Sequence, residues 1–301
     1  MDKNNTETQS KTNINWYPGH MVKTKRQIAD DLKLIDVVIE LLDARIPVSS
    51  QNPDIAGIIG NKKRIIVLNK SDLSDANQNK KWAECFEKKG IPAVLVDSNS
   101  GQGTSLVLKE VQKIMQADLA KALSKGIKGK SIRIMIIGIP NVGKSSFINR
   151  ISKKTSMAVA NRPGVTVKKQ WVRIENNIEL LDTPGVLWPK FESEEVGLNL
   201  AYTGSIKDDI IQKTEVAYSL IKYLLNEYEK NILLRYKIAS EDIQNEKSED
   251  NNIPLDFMNI IGRKRGAIVS GGRVDLEKVS NIILEDFRTG KLGKITLEKR
   301  N

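Results

Sequence analysis

A glycine-rich stretch, GIPNVGKS at 138–145, follows an apolar run and precedes a helical pattern. It matches G-x-x-x-x-G-K-[ST], a pattern that needs this strand–loop–helix context. The glycines let the backbone wrap phosphate groups, and the helix N-terminus adds partial positive charge. Lys144 can reach the β- and γ-phosphates of a nucleotide, and the Ser145 hydroxyl can bind Mg²⁺. The stretch indicates an α/β fold, and the predicted phosphate-binding residues are Asn141, Val142, Gly143, Lys144, Ser145 and Ser146.

Short apolar runs rich in Val and Ile alternate with helical patterns along the first two thirds of the chain. Helical patterns occupy 76–90 and 104–126, and the pair 168–174 and 177–184 predicts an antiparallel hairpin. Four apolar runs predict buried parallel strands, at 36–43, 64–70, 92–98 and 133–140. Together they predict an open α/β sheet with helices on both faces.

The strand pattern stops after about residue 206. The segments 214–236 and 275–290 are helical, and the polar, acidic stretch SEDIQNEKSEDNN at 240–252 is typical of an insert or linker. The predicted organisation is therefore a disordered leader, an α/β domain and a helical domain, at 1–14, 15–206 and 207–301.

A second short stretch, NKSD at 69–72, suits the edge of a guanine base. The Asp72 carboxylate can accept from N1 and the exocyclic amine of guanine, a donor pair that adenine lacks. Asn69 would reach the other edge of the base and connect this loop to the phosphate loop, and the Lys70 stem would cover the ring face. A further loop, VDSNSGQG at 96–103, would place the Ser98 backbone against guanine O6. The predicted base-side residues are Asn69, Lys70, Ser71, Asp72, Asp97 and Ser98.

The stretch LLDTPG at 180–185 supplies the remaining phosphate-side chemistry. Asp182 would hold the Mg²⁺ shell, and the Gly185 N–H would sense the γ-phosphate. Thr166, in RPGVT, would add a hydroxyl on the γ-phosphate side of Mg²⁺. The base loop precedes the phosphate loop, which is the reverse of an ordinary guanine-nucleotide switch. Either NKSD is an accident, or the chain has been permuted around an unchanged site, which a parallel sheet with nearby termini allows.

The chain carries a net charge of +11 and has a pI of about 9.5, which favours a polyanionic partner, RNA before membrane. No Asp or Glu occurs from Leu119 to Ile174. The alternative is a solvated basic surface.

Cys85 is the single cysteine, so an internal disulfide and a cysteine metal cluster are excluded. The N-terminus lacks the apolar segment of a secretory signal, and no apolar run is long enough to span a membrane, so a cytoplasmic protein is expected.

The order of the loops and the surrounding motifs resemble the circularly permuted GTPases of the YlqF type, the ribosome biogenesis GTPase A family. The resemblance runs over nearly the whole chain. Besides the loops already described, it is carried by WYPGHMVKTKRQI, LLDARIPVSSQNP, DTPGVLWPK and RVDLEKVSNIILEDFRTGKLGKITLE, at 16–28, 41–53, 182–190 and 273–298. Two positions depart from the family pattern, because members more often carry Ala where Ser71 stands and Arg where Gln51 stands.

The resemblance implies a P-loop GTPase fold with circularly permuted motif order and a helical C-terminal domain similar to the ANTAR fold. It implies GTP hydrolysis during late assembly of the large ribosomal subunit, with the ribosome as activator. Its implied partners are GTP and GDP, the large subunit and its precursor, and ribosomal RNA, without a membrane role. Within the basic stretch RKRGAIVSGGR at 263–273, the RNA-binding candidates are Arg263, Lys264, Arg265 and Arg273; a solvated basic loop is the competing interpretation.

Catalysis needs a group that positions water. Val186 stands where many GTPases carry Gln, and its side chain cannot form a hydrogen bond. His20 is the only histidine, and in the resembling family this histidine is the proposed catalytic residue, beside Lys144 at the phosphates; a structural histidine is the alternative. Low intrinsic turnover and activation by a partner would follow. In similar GTPases an Asn at the place of Asn141 helps to bind K⁺, and a loop-shaping Asn is the alternative.

Other functions would use the same loops. One is a GTP-dependent RNA-binding switch or stress regulator that acts outside ribosome assembly. Another is a P-loop kinase for a small metabolite, which would need an acceptor pocket and which the guanine selectivity of NKSD disfavours.

Overall fold

The computed structural model describes residues 28–152, 171–174, 177–181, 193–246 and 251–301. The predicted leader at 1–14 and four predicted functional residues lie outside these ranges, namely His20, Thr166, Asp182 and Gly185, and so does Val186.

A mixed sheet forms the centre of the described chain. Its strands are β1 (Val37–Asp43), β2 (Lys63–Asn69), β3 (Ala93–Leu95), β4 (Ile132–Gly138), β5 (Trp171–Ile174) and β6 (Ile178–Leu181). The strand order is β3-β2-β1-β4-β6-β5. All neighbouring pairs are parallel except β5 and β6, which are antiparallel. The predicted parallel strands and the predicted hairpin are confirmed.

Helices cover both faces of this sheet. In the first half of the chain they are α1 (Pro53–Ile59), α2 (Ala76–Lys88), α3 (Thr104–Ser124) and α4 (Lys144–Ser152). On one face Leu42 and Leu68 pack in one buried cluster with Trp82 and Phe86 of α2. Val111 of α3 belongs to the main core cluster, which lines other strand positions. This alternation follows from the period of two along a strand, which sends successive side chains to opposite faces.

The last third of the described chain is helical, as predicted. It contains α5 (Glu194–Tyr202), a 3₁₀ turn (Asp208–Ile210), α6 (Lys213–Glu227), α7 (Glu229–Tyr236), α8 (Ser240–Glu246), α9 (Ile253–Arg265) and α10 (Leu276–Arg288). The one helix predicted at 214–236 is two helices, because Tyr228 leaves the helical conformation with a φ of −143°. None of the described helices has the length and apolar character needed to cross a membrane.

The predicted linker at 240–252 is partly wrong, because its first seven residues form α8. Two ion pairs explain why this acidic stretch folds: Glu246 lies 2.8 Å from Arg263, and Asp242 lies 2.7 Å from Lys264. The basic last turn of α9 therefore supplies the partners of the acidic helix. Residues 247–250 lie outside the described ranges.

The hydrophobic core continues from the sheet into the C-terminal helices. One cluster of buried side chains includes Val37 and Ile134 of the sheet together with Leu220, Phe257 and Phe287 of the helical part. The two parts thus share one core, and a domain boundary at 206 stays a prediction.

Candidate nucleotide-binding site

The ends of three neighbouring parallel strands bring the predicted loops together. Asp43 at the end of β1 is in register with Asn69 of β2, and Leu41 of β1 is in register with Gly138 of β4. The base loop (69–72) and the phosphate loop (138–145) therefore flank the same strand end. This edge, outside the carboxyl ends of the strands, is where open α/β sheets bind ligands.

Asn69 joins three loops through a single buried amide. Its Nδ2 donates to the Val142 carbonyl of the phosphate loop at 2.7 Å. Its Oδ1 accepts from the Ser98 backbone N–H at 3.2 Å and from the Ser98 hydroxyl at 2.7 Å. The side chain is 1% exposed, so these bonds are shielded from water. The connection that the sequence predicts between the base loop and the phosphate loop is present.

Two glycines of the phosphate loop are required by close neighbours. Gly143 has a φ of +99°, and a Cβ there would lie 2.3 Å from Asn69 Nδ2. A Cβ at Gly138 would lie 2.7 Å from the Leu41 carbonyl oxygen. Any larger residue would push the phosphate loop away from the base loop or from β1.

Lys70 reaches from the base loop to the phosphate loop. Its backbone is left-handed, with a φ of +58°. Its Nζ donates to the Asn141 carbonyl at 2.7 Å and lies 3.1 Å from Asp43 Oδ2. The side chain therefore spans the gap between the two loops, and its role in covering a base stays a prediction.

The loop of Ser71 and Asp72 is held by its backbone and leaves the Asp72 side chain exposed. The Ser71 N–H donates to the Val96 carbonyl at 3.1 Å, and the Ser71 carbonyl accepts from Asn79 Nδ2 at 3.1 Å. Partial burial, with the nearby charge of Asp97, raises the pKa of Asp72 above its ordinary value. A ligand donor pair facing Asp72 would favour the charged carboxylate.

The third loop departs from the prediction in one respect. We expected the Ser98 N–H to face guanine O6, but it donates to Asn69 Oδ1. The Asp97 carboxylate also acts within its own loop, because Oδ1 accepts from the Asn99 N–H at 2.8 Å. Burial would raise the pKa of Asp97, but hydrogen bonds from Ser100 and Asn99 outweigh it and lower the pKa. Both residues therefore shape the base side of the site.

The start of α4 presents the predicted phosphate-side groups. Lys144 is half-buried, with Nζ 3.5 Å from the Gly138 carbonyl oxygen, and Ser145 and Ser146 are exposed. A hydroxyl oxygen suits Mg²⁺, which prefers oxygen ligands and usually completes its shell with substrate phosphates and water. Within the described ranges, no group of three or more His, Cys, Asp or Glu side chains could hold a metal. Ser145 alone of the three predicted Mg²⁺ ligands lies in the described chain.

Asn141 anchors the phosphate loop to the C-terminal half. Its Nδ2 donates to the Gly204 carbonyl at 2.6 Å, and its φ is +57°, a conformation that Asn adopts more readily than most residues. The geometry supports the loop-shaping interpretation. Binding of K⁺ stays a prediction.

Three of the four basic RNA candidates lie in a helix and not in a loop, and RNA binding by all four stays a prediction. Arg263, Lys264 and Arg265 form the last turn of α9, and the first two pair with the acidic residues of α8. The Arg265 guanidinium carbon lies 5.2 Å from the centroid of the Tyr236 ring. Arg273 is exposed after a short turn whose ends are bridged by Ile268 and Val274.

The loop motifs do not predict two features of the site. Asp43 and Arg45, at the end of β1, form a buried ion pair beside Lys70. The C-terminal tail (294–300) also returns to the base side: the Ile295 N–H donates to the Leu73 carbonyl at 3.0 Å. The usable signal for the first was the charged pair of Asp-Ala-Arg at the end of a strand rich in Val, Ile and Leu.

Comparison with known proteins agrees with this geometry. A family model described as 50S ribosome-binding GTPase matches residues 133–253. Ribosome biogenesis GTPase A of Bacillus licheniformis is 45% identical over 286 residues, which cover 95% of this chain and 98% of that protein. The protein of the same name from Thermotoga maritima is 30% identical over 95% of this chain and 94% of its own length.

Solved structures show the same relationship. A GDP-bound structure of TM YlqF matches with a TM-score of 0.65 at 27% identity, covering 91% of this chain and 99% of that one. A GNP-bound YlqF from T. maritima matches with a TM-score of 0.62, covering 92% and 98% of the two chains. The likeness covers more than nine tenths of the chain in sequence and in structure, and the chain belongs to the ribosome biogenesis GTPase A family of P-loop GTPases.

Proposed function

We propose that this GTPase hydrolyses GTP to GDP and phosphate during late assembly of the large ribosomal subunit, and that the subunit stimulates its low intrinsic turnover. Family membership supports the coarser part, a GTPase role in ribosome biogenesis. One observation carries the nucleotide site: the buried Asn69 amide connects the base loop, the loop of Ser98 and the phosphate loop. Such a connection makes base recognition and phosphate binding parts of one site.

The two sides of the site have distinct tasks in this proposal. Asp72 reads guanine, with the Lys70 stem over the ring and Ser71, Asp97 and Ser98 shaping the base side. On the other side Lys144 neutralises the phosphates, and the N–H groups of residues 141–146 surround them. Mg²⁺, held by Ser145 together with Thr166 and Asp182, would neutralise charge on the β- and γ-phosphates. The Gly185 N–H would sense the γ-phosphate.

Water positioning is assigned to His20. Val186 offers no hydrogen bond at the usual position, and His20 is the only imidazole in the sequence. We propose that the ribosome brings His20 to the γ-phosphate, so that chemistry is slow until the subunit is bound. A K⁺ ion at Asn141 is the alternative source of positive charge, and the contact from Asn141 Nδ2 to the Gly204 carbonyl favours a loop-shaping role instead.

The partner is assigned from charge. The chain has a net charge of +11, and 119–174 contains no acidic residue, so a polyanion such as ribosomal RNA suits it. The helical part (207–301), proposed to be similar to the ANTAR fold, would contact RNA through Arg273 and the last turn of α9. Arg263 and Lys264 would exchange their α8 partners for phosphates. A cytoplasmic location follows from this partner.

The test is single-turnover GTP hydrolysis by the full chain, alone and with purified large subunits at a fixed salt concentration. Small subunits serve as the matched RNA control. We expect stimulation by large subunits only, and no stimulation in Lys144→Ala. Equal stimulation by both subunits or by unrelated RNA would favour a general RNA-binding switch, and would contradict the assignment to the large subunit.

Phosphate release without any added acceptor separates this proposal from a metabolite kinase. A GTPase transfers the phosphoryl group to water, so inorganic phosphate should appear in the same amount as GDP. Release of GDP that depends on an added small-molecule acceptor would contradict the proposed reaction.

A further inference from the structure

A buried ion network lies beneath the base side of the site, at the end of β1. Asp43 and Arg45 are each 1% exposed. Arg45 Nε donates to Asp43 Oδ1 at 2.9 Å, and Arg45 Nη2 donates to Oδ2 at 2.8 Å. The Arg45 backbone N–H adds a third bond to Oδ1 at 3.1 Å. This two-pronged geometry fixes the orientation of the carboxylate.

A second cation shares the same carboxylate. Lys70 Nζ lies 3.1 Å from Asp43 Oδ2, and it also donates to the Asn141 carbonyl at 2.7 Å. Burial alone would raise the pKa of Asp43, but the charges of Arg45 and Lys70 and the hydrogen bonds from Arg45 lower the pKa well below its ordinary value. Asp43 is therefore an anion at neutral pH, and it faces both cations.

Arg45 is itself held from the C-terminal part. Its guanidinium carbon lies 5.1 Å from the centroid of the Phe287 ring, and Nη1 lies 3.4 Å from the Phe287 carbonyl oxygen. The Arg45 carbonyl accepts from the Leu297 N–H at 2.9 Å. The guanidinium thus has a fixed place between β1 and α10, which a lysine could not reproduce because it lacks the planar fork.

We propose that Asp43 and Arg45 are positioning residues for guanine-nucleotide binding: Arg45 fixes the Asp43 carboxylate, and Asp43 holds the Lys70 ammonium so that the stem of Lys70 stays over the base. This inference rests on the proposed function, because it requires a guanine nucleotide between the two loops. The side chain of Lys70 is 21% exposed. Without Asp43, its ammonium would therefore turn toward water and leave the gap between the two loops.

A purely structural role of the ion pair makes a different prediction. Loss of a buried pair would then lower the stability of the fold and leave nucleotide affinity unchanged once the protein is folded. If Asp43 instead acts through Lys70, the loss of GDP affinity in the double variant should be smaller than the sum of the two single losses in free energy. The two roles can therefore be separated by a double-mutant cycle.

The experiment measures the GDP dissociation constant of the full chain for Asp43→Asn, Lys70→Met and the double variant. We expect each single variant to weaken GDP by about tenfold, the scale of one hydrogen bond to a charged group. The double variant should bind no more than about twofold weaker than Lys70→Met, because the two changes remove the same interaction. Multiplied losses in the double variant, or unchanged affinity in Asp43→Asn, would overturn the proposal.

Asp286→Asn is the matched control. The Asp286 side chain is 5% exposed and accepts from Arg235 Nε and Nη2 at 2.9 Å each, so the substitution removes a two-pronged arginine pair of another buried carboxylate. It should lower the unfolding midpoint without changing GDP affinity. An equal loss of GDP affinity in this control would show a general effect of stability and would count against the proposal.

Three further outcomes would each refute part of this scheme. Should Asp43→Asn fail to fold, Lys70→Met still tests the idea, because its partly exposed side chain tolerates replacement; parent-like GDP affinity in Lys70→Met would refute it. A parent chain that binds GDP and ADP equally would refute the proposed guanine site itself. A guanine-selective parent with an unaffected Asp43→Asn variant would refute only the positioning role.

Discussion

Asn69 Nδ2 donates to the Val142 carbonyl at 2.7 Å, although the two residues are 73 positions apart and occur in the reverse of the usual order of such loops. The contact depends on strand neighbours, because β1 lies between β2 and β4 and brings their ends together. The order of those strands along the sequence does not affect this contact. A permuted chain can therefore keep the whole site.

Gly143→Ala should weaken guanine nucleotides strongly, because the new Cβ would lie 2.3 Å from Asn69 Nδ2 and break the contact between the loops. Gly90→Ala is the matched control: its φ is +74° and no atom lies within 4 Å of a Cβ there. Both variants pay a similar backbone strain of about 1 kcal/mol. Measured GDP affinity should fall at Gly143 only; equal affinities would show that the loops need no close approach.

Asp72→Asn should lose affinity for GTP and gain affinity for xanthine nucleotides, because the amide then faces a carbonyl acceptor in place of a donor. The control is Asp75→Asn, the same change three positions along. Asp75 caps α2 by accepting from the N–H groups of Asn77 and Gln78, which Asn also does. Competition binding with GTP and XTP should show a reversed preference at position 72 and none at 75. Parent-like GTP binding by Asp72→Asn would mean that another group reads the base.

The strands and loops of this fold are predictable because their causes are local. Buried parallel strands read as continuous Val and Ile runs, and glycine-rich turns mark the phosphate loop. The ends of the strands were predicted less accurately. The run at 92–98 contains a strand of only three residues, β3, because its later residues form the loop that contacts Asn69.

The contacts that sequence reasoning missed all join distant segments. Arg45 and Phe287 are 242 positions apart, so no local pattern shows that an arginine after β1 would be covered by α10. The same holds for α8, whose acidic residues look like a linker until α9 supplies Arg263 and Lys264 as partners. These features depend on tertiary contacts, which local sequence propensities do not predict.

Asn141→Gly should weaken nucleotide binding to the same degree in KCl and in NaCl. The change removes the bond from Nδ2 to the Gly204 carbonyl, and glycine accepts the φ of +57° without strain. A loop-shaping role predicts a loss that is independent of the cation. The measurement is GTP affinity and turnover in the two salts. If the parent turns over GTP faster in KCl than in NaCl and the variant loses only this difference, Asn141 is a K⁺ ligand.

His20→Ala should separate binding from chemistry. The imidazole is assigned to water positioning, so GTP affinity and co-sedimentation with large subunits should stay at the parent level. Single-turnover hydrolysis at saturating subunit should fall by about a hundredfold or more, as for loss of one group that handles or positions the attacking water. Lys144→Ala is the comparison, because it should impair nucleotide binding as well. An unchanged rate in His20→Ala would transfer the catalytic role to another group.

The ion pair between Asp208 and Arg288 should make the stability of the fold depend on pH. Arg288 donates to Asp208 through Nη1 at 3.0 Å and Nη2 at 2.8 Å, and hydrogen bonding from Arg288 is the largest cause of the lowered pKa of Asp208. Because the pKa is lower in the folded chain than in the unfolded chain, the pair stabilises above the ordinary Asp pKa of about 4 and loses this effect as the pH falls through the folded value. Asp208→Asn should therefore lower the urea midpoint at pH 7, and its difference from the parent should shrink toward pH 3. Asp209→Asn, an exposed neighbour in the same 3₁₀ turn, is the control and should follow the parent at every pH. A difference between Asp208→Asn and the parent that stays constant from pH 7 to pH 3 would show that charge on Asp208 does not stabilise this contact.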